Sequence, residues 1–136
     1  MTPLPTKPSD ILVTTPKSAA ATAAAEAADC IAGGGGFYFR TFKRRPTRLA
    51  VGSRIYYVES GFIRGYATVK EIVGGSMRCG TTGRDWGEGY HAIMPADSWT
   101  WIIPIPQAGF QGWRYFDRSG TIDYGGWLDS KPETNA

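Results

Sequence analysis

Basic side chains are concentrated in the middle of this chain, where they could bind an anionic partner. Between Arg40 and Arg84 there are ten basic residues and two acids, Glu59 and Glu71. Such a concentration is typical of surfaces that meet phosphates. We predict phosphate contacts for the four basic residues of one loop, Lys43, Arg44, Arg45 and Arg48. The alternative is an ordinary basic loop exposed to solvent.

Arg40 is a candidate for direct contact with a ligand. It lies in the run FYFRTF, between Tyr38 and Phe42. A planar guanidinium beside aromatic rings can hold a phosphate or the edge of a base with two hydrogen bonds. A structural ion pair is the alternative role. We place Arg40 and Tyr38 in a cleft, together with Arg54 from a following strand.

The glycine-rich stretch CGTTGRDWGEG offers a second group of candidates. Trp86 lies there in polar surroundings, so it is available to stack on a base, and Arg84 could accompany it on a covering loop. An exposed connector is the alternative. Trp99 and Trp101 are spaced as neighbours on one face of a strand, and this spacing favours the core for one or both.

Residues suited to metal or nucleophilic chemistry are few. His91 is the single histidine, and the two cysteines, Cys30 and Cys79, are far apart with no CxxC pairing. We therefore predict no metal, no cofactor and no catalytic residue, and free thiols for both cysteines.

The elements that position these residues are predicted to be mostly short strands. Strands are expected at 11–15, 37–42, 54–59, 63–73, 91–94, 99–105 and 113–116, with a hairpin turn at Ser60 and Gly61. The alanine-rich stretch 17–32 favours a helix that ends at Gly33 to Gly36. The expected organisation is a flexible leader at 1–10, a single domain at 11–128 and a disordered tail at 129–136.

The order of these elements, followed by VGSRIYYVESGFIRGYATVKEI, resembles the ASCH domain family within the PUA-like fold. The family motif G-x-K-x-x-E-x-R falls on Gly33 to Arg40. Its glycine and its arginine match Gly33 and Arg40, whereas Gly35 replaces the lysine and Tyr38 the glutamate. The resemblance implies an α+β fold: a small PUA-like β-barrel with one N-terminal alanine-rich helix.

For function, the resemblance implies a cleft that binds RNA or a nucleotide-like ligand. Some small members of the family are amidohydrolases that act on a modified cytidine nucleoside. Because the motif lysine and glutamate are replaced, general base catalysis of that kind lacks its essential groups. The expectation is therefore a non-catalytic binding module for RNA or a nucleotide or modified base, with DNA a further possible partner.

Two alternatives remain open. One is a divergent nucleoside amidohydrolase that uses Glu59, Glu71 or Asp85. The other is a protein-binding module, such as an inhibitor encoded by a mobile element. No apolar run approaches the roughly 20 residues that span a bilayer, so we expect a cytoplasmic monomer without membrane contact.

Overall fold

A computed structural model describes residues 7–15, 37–44, 46–74, 77–78, 85–87 and 89–126, and for residues 37–39, 77–78 and 85–87 it describes the backbone alone. The described residues form eleven strands. The strands are β1 Asp10–Thr14, β2 Phe37–Phe42, β3 Arg54–Glu59, β4 Phe62–Thr68, β5 Glu71–Gly74, β6 Met77–Arg78, β7 Asp85–Gly87, β8 Tyr90–Pro95, β9 Thr100–Pro106, β10 Trp113–Phe116 and β11 Asp123–Gly126. Two three-residue 3-10 helices lie at Ala96–Ser98 and Arg118–Gly120.

Three sheets are formed. The largest has six strands in the order β10-β1-β3-β4-β9-β11, the second has the order β2-β8-β5, and β6 pairs with β7. In the six-stranded sheet β1 and β3 are parallel, and the other neighbours are antiparallel. Parallel neighbours need a crossover connection, and here the chain leaves the sheet after β1 and forms β2 before it returns as β3.

The inner strands β1, β3 and β4 of the six-stranded sheet are buried on both faces, which explains why they are rich in apolar residues, whereas the end strands β10 and β11 are mostly exposed. One face packs on the second sheet, around residues such as Ile55, Trp99 and Met94. The other face carries a separate cluster that includes Tyr56 and Ile102. Trp99 and Trp101 belong to the first cluster and are 0% and 7% exposed, so the prediction that they are core residues is confirmed.

The hairpin predicted at Ser60 and Gly61 is confirmed. These two residues join β3 to β4 and have φ angles of 53° and 83°. A two-residue turn with both φ values positive matches the right-handed twist of its strands. The strand predicted at 63–73 is divided, however, into β4 and β5, which belong to different sheets.

The predicted α+β class and PUA-like barrel are wrong. In the described part of the chain the helical elements are the two 3-10 helices, and the six-stranded sheet is open because its end strands, β10 and β11, do not pair with each other. Among the described residues, a second sheet covers the apolar face of the first. The alanine-rich helix predicted at 17–32 lies outside the described residues.

Close approach of β4 to β9 requires glycine at position 65. A Cβ there would collide with the carbonyl oxygen of Thr100 and would lie 2.7 Å from Cζ2 of the buried Trp99. Neither obstacle is the flexible end of a side chain, so the strands would have to separate.

We therefore expect Gly65→Ala to lower the free energy of unfolding by about 1–3 kcal/mol through overpacking. Urea denaturation measures the change. Gly120→Ala is the matched control because a Cβ at position 120 meets no atom within 4 Å, and its effect should stay within about 0.5 kcal/mol. Equal stability of the two variants would contradict the packing argument.

Candidate functional site

A groove of about 700 Å³ lies at one end of the six-stranded sheet. The segment before β1, the loop between β2 and β3 and the segment after β10 meet there. Its charged and aromatic lining residues are Lys7, Asp10, Arg48, Tyr115, Phe116, Asp117 and Arg118. These residues are separated by up to about a hundred positions in the chain, so the groove exists only because the sheet places β10 beside β1.

Arg118 is held in the groove by the carboxylate of Asp10. Its Nε donates to Oδ2 at 2.7 Å and its Nη2 donates to Oδ1 at 2.6 Å. The backbone N–H of Arg54 also donates to Oδ1, at 2.7 Å. Asp10 is 4% exposed, and these three charge-assisted hydrogen bonds compensate for its burial.

The guanidinium of Arg118 stays charged and keeps a free edge. The hydrogen bonds that Arg118 donates to Asp10 raise the pKa of Arg118 above its usual value. Within the described residues Nη1 makes no hydrogen bond, since every contact of Arg118 uses Nε or Nη2. About 45% of the Arg118 side chain is exposed. The result is a fixed cation that presents unused donors to the groove.

Arg48 lies on the ring of Tyr115. Its Cζ is 5.0 Å from the ring centroid. Its Nε donates to the carbonyl oxygen of Lys7 at 2.9 Å, and its backbone N–H donates to the Tyr115 hydroxyl at 3.1 Å. The backbone N–H of Ser9 donates to the carbonyl oxygen of Arg48 at 2.8 Å. These contacts fix both the backbone and the side chain of Arg48.

The groove carries a small excess of positive charge. Lys7, Arg48 and Arg118 face two carboxylates, Asp10 and Asp117. Asp10 is already neutralised by its ion pair with Arg118. Asp117 accepts a hydrogen bond from the Ser119 backbone N–H at 2.9 Å, and this contact lowers the pKa of Asp117. Asp117 therefore remains negative and limits the approach of an anion from its side of the groove.

Arg54 is bound to the sheet rather than projecting into solvent. Its Cζ lies 4.2 Å from the centroid of the Tyr66 ring, and its Nη1 donates to the Tyr56 hydroxyl at 3.0 Å. The Tyr66 hydroxyl donates to Asp123 at 2.9 Å. Burial raises the pKa of Tyr66. Arg54 thus contributes to the groove through its backbone N–H, which holds Asp10.

The other basic residues predicted as ligand contacts lie away from this groove or outside the described side chains. Arg40 is in β2 opposite Ala92 of β8, so it belongs to the second sheet. Lys43 and Arg44 are exposed after the end of β2. For Tyr38 in β2 and Trp86 in β7 the backbone alone is described, and Arg45 and Arg84 lie outside the described residues. The roles assigned to these seven residues stay predictions.

Sequence reasoning missed Lys7, Asp10, Tyr115 and Arg118. Lys7 and Asp10 fall in the segment predicted as a flexible leader. Arg118 follows the final strand that was predicted, in a polar stretch without periodic apolar residues. No local pattern identifies these positions, because their significance depends on the pairing of β1 with β10.

The carboxylates considered for catalysis are not on one sheet. Glu59 ends β3, is buried and accepts a hydrogen bond from the Thr15 hydroxyl at 2.7 Å. Glu71 begins β5 in the second sheet, and Asp85 begins β7 in the two-stranded sheet. Within the described residues no group of three or more His, Cys, Asp or Glu side chains is arranged to hold a metal ion.

Comparisons with protein-family models, with curated proteins and with solved structures find no match to this chain. None of the helices in the described ranges has the length and apolar composition needed to cross a bilayer.

Replacement of Asp10 tests the ion pair at the centre of the groove. Asp10→Asn would turn an NH2 group towards the donors of Arg118 or Arg54 and remove the buried charge that they neutralise. We expect a loss of about 2–3 kcal/mol in the free energy of unfolding, measured by urea denaturation. Asp97→Asn, at an exposed position outside the groove, is the control and should change stability by less than about 0.5 kcal/mol. A loss of similar size in both variants would count against a special role for Asp10.

The raised pKa of Tyr66 predicts a pH dependence of stability. As pH rises, the unfolded chain releases the Tyr66 phenol proton near pH 10, before the folded chain does. The stability that protonated Tyr66 contributes is therefore complete below that pH and is lost as pH rises through the pKa of Tyr66 in the folded protein. Tyr66→Phe should therefore lose less stability than the wild type between about pH 9 and pH 11. Urea denaturation midpoints measured across this pH range give the change of stability with pH for each variant. Tyr124→Phe, at an exposed tyrosine, should keep the wild-type slope; a wild-type slope in Tyr66→Phe would refute the assignment.

Proposed function

We propose that this protein is a non-catalytic nucleic-acid-binding module and that the groove holds phosphates of the bound strand. The observation that carries the proposal is the convergence of Lys7, Arg48 and Arg118 on one groove, with Arg118 fixed by a buried carboxylate. RNA is the proposed ligand and DNA is an alternative of the same chemistry. A cytoplasmic location is part of the proposal.

Arg118 and Lys7 have complementary roles in this proposal. The unused edge of the Arg118 guanidinium can donate to phosphate oxygens without a further loss of side-chain freedom, since Asp10 already holds the side chain. Lys7 is exposed and contributes a mobile positive charge. Contacts of this type provide affinity and orientation, while the sequence of the nucleic acid has little influence on them.

The basic residues after β2 extend the proposed surface. Lys43 and Arg44 are exposed, and we propose that they contact phosphates beyond the groove. Arg40 remains a proposed ligand contact on the second sheet. The resemblance to the ASCH family is likewise a proposal, independent of the role proposed for the groove.

The proposal predicts a moderate salt dependence of RNA binding. The three basic residues of the groove alone correspond to three neutralised phosphates on a single strand and to a slope of about −2 in a plot of log K against log salt concentration, and contacts by Lys43 and Arg44 would make the slope steeper. Fluorescence anisotropy with a short labelled single-stranded RNA measures this slope. Arg118→Gln should weaken binding at low salt about tenfold or more, because a charge-assisted contact is lost.

Arg114→Gln is the matched control. It removes the same charge from an exposed position on β10, where the guanidinium lies 4.2 Å from the Phe110 ring and outside the groove. Binding by this variant should change less than about threefold, because Arg114 does not line the groove. Circular dichroism verifies that both variants fold. Absence of RNA binding by the wild type at low salt, or equal losses in the two variants, would refute the proposal.

A further inference from the structure

Arg48 differs from the other cations of the groove because its guanidinium lies over an aromatic ring. Its Cζ lies over the Tyr115 ring, 5.0 Å from the centroid, and Nε and the backbone N–H are both used in hydrogen bonds. Within the described residues its two terminal nitrogens make no hydrogen bond. Arg48 is partly exposed and lines the groove. The structure therefore holds a flat cationic surface in place before any ligand binds.

Tyr115 itself is poorly placed to stack on a base. One face of its ring is under Arg48, and Trp113 meets the ring edge-to-face, with 4.9 Å between centroids and 74° between planes. Its hydroxyl contacts the Arg48 backbone N–H at 3.1 Å and lies 3.3 Å from the Thr47 hydroxyl. Tyr115 therefore supports Arg48, whose planar guanidinium lines the groove.

An arginine plane is a suitable partner for the face of a nucleic-acid base. In a duplex both faces of a base are covered by its neighbours, so only an unpaired base can offer its face to a side chain. The groove also provides Arg118 and Lys7 for the phosphates next to such a base.

We infer that the groove is selective for single strands: an unpaired base stacks on the outer face of Arg48 while Arg118 and Lys7 hold adjacent phosphates. This inference rests on the proposed function and adds the class of nucleic acid to it. The role inferred for Arg48 differs from that of a phosphate contact, because stacking needs a planar group whereas a phosphate contact needs only a charge.

The test compares three labelled probes with wild-type protein at low salt by fluorescence anisotropy. They are a short single-stranded RNA, the same strand with abasic sites, and the corresponding duplex. The single strand should bind about tenfold or more tightly than either other probe, as expected for loss of a stacked base. The abasic strand keeps every phosphate, so this comparison isolates the base and involves no variant.

Arg48→Lys provides the second comparison. It keeps the charge and removes the plane, so it should lose about tenfold in affinity for the normal strand and little for the abasic strand. Arg114→Lys is the matched control, since Arg114 also lies on an aromatic ring, at 4.2 Å from the Phe110 centroid, but outside the groove. This control should bind both strands as the wild type does.

The outcomes distinguish the two proposals. Salt-sensitive binding of equal strength to all three probes, with Arg48→Lys unchanged, would overturn single-strand selectivity and leave the nucleic-acid-binding function standing. Absence of binding to every probe would overturn both. A preference for the single strand that disappears in Arg48→Lys, and persists in Arg114→Lys, would support the inference.

Discussion

The carboxylate of Asp10 joins three segments that are far apart in the chain. It accepts hydrogen bonds from the Arg54 amide at the start of β3 and from the Arg118 guanidinium after β10. A buried carboxylate without such partners would be strongly destabilising. Burial of Asp10 in β1 therefore requires the turn after β10 to close on the sheet, and this closure forms one wall of the groove.

The six-stranded sheet supplies the rigid support for this end of the molecule. Its central strands are buried on both faces, and β4 approaches β9 so closely that Gly65 can carry no side chain. Trp99 fills the space beside Gly65 and packs edge-to-face on Trp101, with 5.2 Å between ring centroids. Dense packing of this kind has low compressibility, so the groove is built on strands whose relative positions are fixed.

Preorganisation is the property that the groove residues share. Arg118 is held by a carboxylate, and Arg48 is held by a tyrosine ring and two hydrogen bonds. A long basic side chain normally loses rotamer freedom when it binds a ligand. Here folding has already restricted Arg118 and Arg48, so these two residues would lose less entropy on binding the proposed ligand.

The sequence by itself determined the local structure of β2, the hairpin of β3 and β4, and the burial of Trp99 and Trp101, because alternation, turn residues and strand spacing act over a few neighbouring positions. It also identified Arg48 as a candidate contact from its place in a basic loop. The open sheet, the division of 63–73 between two sheets and the site made by Asp10, Tyr115 and Arg118 were decided by tertiary structure alone. Strand pairing across a hundred positions brings these residues together, and no short-range pattern encodes which distant strands will pair.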